Sequence, residues 1–428
     1  RLLEGTNKGV RLSTRQGAAA VALASLPLAD FFTAPADAGQ VYDPKVVFDV
    51  DPAGQRFWVT AAQTDHERRT SSLYLAFSKG PSPANLNRRH WCRYRFEGAY
   101  LGPDPQPGTA APAWADYPNL GTGTDAVVLT SNHFRFGDNV FAHALVRVIG
   151  KSSVQPGCGP LRSWVFQPEA AFGDRNVITL QPVRQVTRPA SFPGARKPVY
   201  LISTLRVPAA AYRVWRVANV ATGTPTLERL DVPAPRYDRP PMATQLGSRL
   251  LFETGDARLI QAVGVGNTLW TAHSTTCDAG DGIPEACARV VRLQVGAGPN
   301  RTGFTARLTE ALTIGGGGGD DGVHYWMPTV AANRARQIAV AFLTSSAETN
   351  LGSGWTWKTA EATGFGPLRR LAEGNCGRAA STRAGDFLGA QVDPTDLQTL
   401  WLSGERAWRQ GRSCSWQTWI ARVDPGIG

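Results

Sequence analysis

A varied unit recurs along this chain, and a repeat constrains the fold more than any single motif, because each copy must bury its open face against the next. Each copy has a lead-in containing Asp or Pro, a β-branched run, a polar turn and a second β run. Tyr42-Asp43-Pro44-Lys45-Val46-Val47-Phe48-Asp49 passes through Pro52-Ala53-Gly54 into Arg56-Phe57-Trp58-Val59. Asp116-Tyr117-Pro118 passes through Gly121–Asp125 into Ala126–Thr130, and Asp256–Leu259 through Gly264–Asn267 into Thr268-Leu269-Trp270. Met327–Val330 passes through Asn333–Arg336 into Ile338–Phe342, and Asp386–Gly389 through Asp393–Asp396 into Leu400-Trp401-Leu402. Pro44 to Pro118 spans 74 residues, Arg258 to Pro328 70, and Pro328 to Gly389 61. The 140 residues from Pro118 to Arg258 leave room for two units, the second beginning near Val199-Tyr200-Leu201-Ile202, and residues 6–34 supply strands of one more.

A four-stranded propeller blade needs about 40–50 residues, with long loops making up the excess here. The spacing therefore predicts an all-β chain folded as a single β-propeller of seven blades, with six as the alternative and a pair of β-sandwiches as the competing architecture. The blades fall near residues 1–40, 41–113, 114–195, 196–254, 255–323, 324–383 and 384–428. Composition agrees: 45 Gly, 30 Pro and 13 Trp with 18% charged residues describe a turn-rich, aromatic chain rather than a helical or disordered one.

Six cysteines without a C-x-x-C pair argue for three disulfides in an oxidising compartment and against a zinc ribbon. Cys277 and Cys287 bracket a polar loop and make a local staple. Cys376 with Cys414 and Cys92 with Cys158 follow by elimination from 15 connectivities. The expectation is a secreted, extracellular or periplasmic bacterial protein, disulfide-stapled and not membrane-spanning, since no run of 18 apolar residues occurs. Arg11–Ala34 has the look of a signal peptide but runs on into Asp30-Phe31-Phe32, and the start at Arg1 suggests a processed form. The 39 Arg against 6 Lys point to GC-rich coding. The net charge of +11 is diffuse, densest at Arg68-Arg69 and Arg88-Arg89-His90, and no nucleic-acid motif accompanies it.

Tyr42–Val59, Ala115–Phe134, Tyr325–Phe342 and Gly385–Ile420 together resemble the bacterial secreted sialidase-like (BNR-type) β-propeller superfamily. The resemblance implies the propeller architecture over nearly the whole chain. Sialidase catalytic motifs are not found: only Gly352–Trp357 faintly approaches an Asp box, and no Phe-Arg-Ile-Pro is present.

If the lead-ins open innermost strands, Asp43, Asp116, Tyr117, Asp256, Arg258, His324, Tyr325, Trp326, Arg383 and Asp386 converge at one channel mouth. Asp43, Asp116, Asp256 and Asp386 are candidate ligands for calcium, although no cofactor is required. Asp116, Tyr117, Asp256, His324, Tyr325 and Asp386 are the catalytic candidates, as acid, base or nucleophile in glycoside cleavage. Arg258, Trp326 and Arg383 are the ligand-binding candidates, guanidinium for carboxylate and indole for sugar. Against each stands a plain structural role: turn capping for Asp, packing for Trp, ion pairing for Arg. Trp355, Trp357, Trp401, Trp416 and Trp419 read as core. The remaining histidines have no zinc spacing, and the Gly315–Gly319 run with Asp320-Asp321 reads as a flexible loop.

The leading functional expectation is a non-catalytic secreted propeller binding a glycan or surface partner at its channel mouth. The alternatives are a glycoside hydrolase or lyase acting on an anionic glycan, and an assembly component docking through Pro103–Pro112 and Pro233–Pro241.

Overall fold

A computed structural model describes residues 1–16, 19–36, 38–50, 54–101, 112–173, 177–187, 198–299, 303–317, 322–377 and 382–424. The Pro52-Ala53 turn, the Pro-rich stretch from Pro103 to Ala111, and Gly318–Asp321 lie outside these residues. The strands form antiparallel meanders, each in chain order, and the fourth and fifth are hydrogen-bonded through their first strands into one eight-stranded sheet. The first is β1 (Leu2–Thr6), β2 (Gly9–Gln16) and β3 (Ala19–Leu26), followed by a short helix, α1 (Leu28–Phe32). The second is β4 (Gln40–Asp49), β5 (Arg56–Asp65), β6 (Thr70–Ser78) and β7 (Trp91–Glu97). The third is β8 (Tyr100–Leu101), β9 (Pro112–Thr122), β10 (Ala126–Arg135), β11 (Phe141–Gly150) and β12 (Ser163–Phe166), followed by α2 (Pro168–Phe172). The fourth is β13 (Gln181–Thr187), β14 (Val199–Thr204), β15 (Ala209–Ala218) and β16 (Thr226–Tyr237). A hairpin, β17 (Ala243–Gln245) and β18 (Ser248–Phe252), precedes the fifth: β19 (Leu259–Val265), β20 (Thr268–Asp278), β21 (Pro284–Ala297) and β22 (Phe304–Ile314). The sixth is β23 (His324–Ala332), β24 (Ile338–Ser345), β25 (Gly352–Lys358) and β26 (Arg369–Ala372), and the last is β27 (Gly389–Val392), β28 (Leu400–Gln410) and β29 (Ser413–Val423).

The chain is all-β and disulfide-stapled, as the repeat predicts, and its sheets are meanders of the kind from which propeller blades are made. Two details differ from expectation. The fourth meander opens at Gln181, one strand before Val199, because its first strand lacks a β-branched run strong enough to be seen. Pro233 and Pro235 lie within β16, so that part of the supposed docking arm is strand.

The repeated lead-in has a common physical meaning. Asp43, Tyr117 and Met327 each precede a proline and each adopt a left-handed backbone, with φ of 51°, 49° and 49°. At each site the X-Pro pair drops out of the ladder opposite a single residue of the next strand: Ala61, Ser131 and Phe342. Proline has no N–H to give the ladder, so the extra residue becomes a β-bulge that bends the first strand of the meander.

Residues cluster into two compact units, Arg1–Gln185 with Phe192–Leu201 and Trp215–Glu228, and Val186–Ser191 with Ile202–Val214 and Arg229–Gly428. In the first, Val47, Trp58, Leu75, Phe77, Leu129 and Ile149 belong to one buried cluster, each large side chain contributing about 1.5–3 kcal/mol by leaving water. In the second, Gln261 joins the first strands of three meanders. Its Nε2 donates to Val330 O (2.8 Å) and Ala390 O (2.6 Å), while its Oε1 accepts from Thr329 Oγ1 (2.9 Å) and Ala390 N (3.3 Å). All four hydrogen-bonding positions of the buried amide are filled. The disulfides are Cys92–Cys158, Cys277–Cys287 and Cys376–Cys414, with Cα separations of 5.2, 5.8 and 6.0 Å, inside the normal range.

Candidate functional site

In the second unit three lead-ins meet around Met327. A Cβ added to Gly255 would stand 3.1 Å from Met327 Cε, and one added to Gly385 would stand 2.5 Å from Met327 Cγ. Both glycines have positive φ, 78° and 105°, so the thioether is clasped between two backbones that only glycine permits. Met327 N donates to Ser274 Oγ at 3.0 Å, fixing the bulge. The segment carrying Arg383 lies alongside the one carrying Asp256: Glu253 and Arg383 form a parallel bridge, Glu253 N donates to Thr382 O (2.7 Å), and Thr382 Oγ1 donates to Glu253 Oε1 (2.9 Å). Below it the buried Glu405 accepts from Gly385 N (3.2 Å) and Phe387 N (2.9 Å), holding the turn from beneath.

The charged candidates here are paired. Arg258 donates from Nε to Asp256 Oδ1 (2.7 Å) and from Nη2 to Asp256 Oδ2 (2.9 Å), a two-point clasp completed by its backbone N–H at 2.9 Å. Burial would raise the Asp256 carboxyl, but the hydrogen bonds and charge of Arg258, aided by Arg239, outweigh it and hold Asp256 below the usual carboxylate range. Arg383 reaches Asp386 at 3.3 Å with its side chain 71% exposed.

The triplet His324-Tyr325-Trp326 is buried. His324 Nδ1 accepts from Ala286 N at 3.1 Å, and burial lowers its pKa from the ordinary value. Tyr325 packs edge-on against Phe342 at 5.4 Å. Trp326 is fully buried, stacked near Phe252 at 5.9 Å, so its faces are packed rather than offered to a ligand. The strand enters the core at this point, and three consecutive side chains on a covered strand are all enclosed.

Asp43, Asp116 and Tyr117 belong to the first unit, on the bulges of β4 and β9. The carboxylates of Asp43 and Asp116 act on Tyr42, whose OH donates to Ala115 O at 2.6 Å and lies 2.7 Å from Thr64 Oγ1. Burial pushes the Tyr42 phenol up, and the carboxylates of Asp116 and Asp43 add to the shift. Lys45 stands 5.2 Å from the centre of the Tyr117 ring. Among the described residues no three His, Cys, Asp or Glu side chains gather as a metal site.

A pair missed in the sequence lies in the first unit. His133 and His143 face each other across β10 and β11, buried and stacked with centroids 4.6 Å apart. Burial lowers both pKa values, His143 to about 4 and His133 well below its ordinary value, with the neighbouring His143 adding to the shift of His133. The signal was available: the two histidines are equidistant from the turn around Asp138. In the second unit Tyr212 OH lies 2.7 Å from His273 Nε2, with Tyr237 stacked on Tyr212 at 5.1 Å.

No known family model matches the chain, and no curated protein sequence matches it. Among solved structures it is similar to a protein of unknown function from Dyadobacter fermentans, with 13% identity over 89% of this chain and 94% of that one and a TM-score of 0.41. It is also similar to a variant of an apocarotenoid oxygenase from Synechocystis, with 8% identity over 86% of this chain and 71% of that one and a TM-score of 0.40. No helix among the described residues is long and apolar enough to cross a membrane.

Proposed function

We propose that this is a secreted, non-catalytic β-propeller that binds a short, carboxylate-bearing glycan at the Arg383 cluster of the second unit. The observation that carries the reading is the state of the ionisable groups there. A general acid for glycoside cleavage needs a carboxyl raised toward neutrality, whereas Asp256 is clasped by Arg258 and held below the ordinary range. His324, the histidine among the candidates, is buried with its Nδ1 engaged by Ala286 N. Arg383 stays exposed while it pairs with Asp386 at 3.3 Å, and its planar guanidinium is a group suited to a carboxylate. The disulfides fit an oxidising compartment, and the sialidase-like resemblance is in keeping with a propeller whose catalytic motifs are missing. A panel of neutral and acidic oligosaccharides, with binding and product release read in the same wells, tests the proposal. Binding of acidic members without new reducing ends supports it, and either turnover or silence across the panel overturns it.

A further inference from the structure

Residues 400–423, the hairpin of β28 and β29, contain four arginines, four tryptophans and one carboxylate. That carboxylate, Glu405, is buried and spent on the Gly385 and Phe387 amides. Register decides what shares the other face: Gly404 pairs with Trp419, Arg406 with Gln417 and Trp408 with Ser415. With side chains alternating along each strand, Arg406, Trp408, Gln417 and Trp419 lie together. The Arg406 guanidinium stands 3.8 Å from the centre of the Trp408 ring and 4.9 Å from that of Trp419. Its Nη2 donates to Gln417 Oε1 at 3.1 Å.

Trp419 is 45% exposed, which corrects the sequence expectation that it belongs to the core. Trp416, on the opposite face, stacks on Phe387 at 5.6 Å. Arg409 and Arg412 are exposed, and among the described residues neither they nor Arg406 is paired with a carboxylate. The tip is rigid: Cys414 is bonded to Cys376, and Arg409 N donates to Asn375 Oδ1 at 2.7 Å.

A fixed face of indole rings, amide and unbalanced guanidinium groups has a definite complement. Indole offers a flat apolar surface to the C–H face of a sugar ring. Guanidinium offers paired donors to carboxylate or sulfate. Nucleic acid shares the charge and the stacking, but disulfides place the chain where oxidising conditions prevail, and there acidic polysaccharide is the abundant polyanion.

We infer that this hairpin face binds an acidic polysaccharide, sugar rings lying on Trp419 and Trp408 and acidic groups at Arg406, Arg409 and Arg412. The site is separate from the Arg383 cluster and stands without it. The test is binding of the intact protein to immobilised heparin and polygalacturonate, with dextran as the neutral control and a thymidine oligonucleotide as the competing polyanion. Wild type is expected to bind both acidic polymers, more weakly as salt rises, and to ignore dextran. Trp419→Ala and Arg406→Ala should each weaken binding by about tenfold, and Arg307→Ala, at an exposed position of β22, should leave it unchanged. Arg412→Glu, in the exposed turn, provides a charge-reversed variant whose folding is not at issue and should weaken binding comparably. Failure of wild type to bind either acidic polymer, binding indifferent to Trp419 and Arg412, or an equal loss on Arg307→Ala overturns the inference. Equal binding of the oligonucleotide with the same dependence on Trp419 overturns the choice of glycan.

Discussion

Acid should destabilise the first unit through the His133–His143 stack, and His143→Gln isolates the effect. In the folded chain His143 is neutral, with its pKa lowered by burial to about 4. The unfolded chain takes up the same proton near 6.5. A histidine with a lowered folded pKa leaves stability intact above about pH 6.5 and erodes it as pH falls toward the folded value, below which the loss is complete. At about 1.36 kcal/mol per unit, His143 accounts for a loss of about 2.7 kcal/mol by pH 4.5. The surroundings do not offset the charge. His133 stacks on it at 4.6 Å, Tyr100 sits edge-on to His133 and holds Arg147 Nη2 at 2.6 Å, and Glu169 from α2 is engaged by Ala144 N at 2.7 Å. Glutamine is neutral throughout, so the variant should lose about 1 kcal/mol at pH 7.5, from the broken stack, yet lose about 2.7 kcal/mol less than wild type on acidification. Urea unfolding followed by tryptophan fluorescence at pH 7.5 and pH 4.5 measures both. His133, His273 and His324 are lowered as well and are present in both proteins, so the difference between the two reports on His143. An identical acid loss in wild type and variant refutes the reasoning.

Gly385→Ala should cost about 1–3 kcal/mol, since φ of 105° and the approach of Met327 both oppose a Cβ; thermal unfolding reads it. Gln261→Ala leaves the carbonyls of Val330 and Ala390 and the Ala390 amide without their buried partner. It should lower stability by at least about 3 kcal/mol in urea titration, and a loss below 1 kcal/mol would show that water replaces the amide. Removing Cys376–Cys414 as a Ser pair frees a loop with a sequence separation of 38, which chain entropy values at about 4 kcal/mol. Differential scanning calorimetry of the double variant checks this.

Much of the fold was legible because it is written as a repeat. The lead-in prolines marked where first strands bend, and the alternation of β-branched runs with Gly and Asp turns marked the hairpins. What the prolines did was not legible: a left-handed Asp43, Tyr117 or Met327 depends on the partner strand, which sequence does not supply. The same limit governs the site. Asp256 and Arg258 could be read as ligand groups or as each other's partners, and only distance decides. His324-Tyr325-Trp326 looked like a recognition edge because adjacent aromatics carry no label for the depth of their strand. Trp419 went the other way: nothing in its spacing from Trp416 tells that one of the two is left 45% exposed.

The most direct test of the central claim is calorimetric titration of a short oligogalacturonate into wild type, Arg383→Ala and Trp419→Ala, with reducing ends assayed in the same samples. The account predicts binding by wild type and Trp419→Ala, loss of one binding site in Arg383→Ala with an unchanged melting temperature, and no new reducing ends. Release of product, or an Arg383→Ala protein that binds as wild type does, contradicts it.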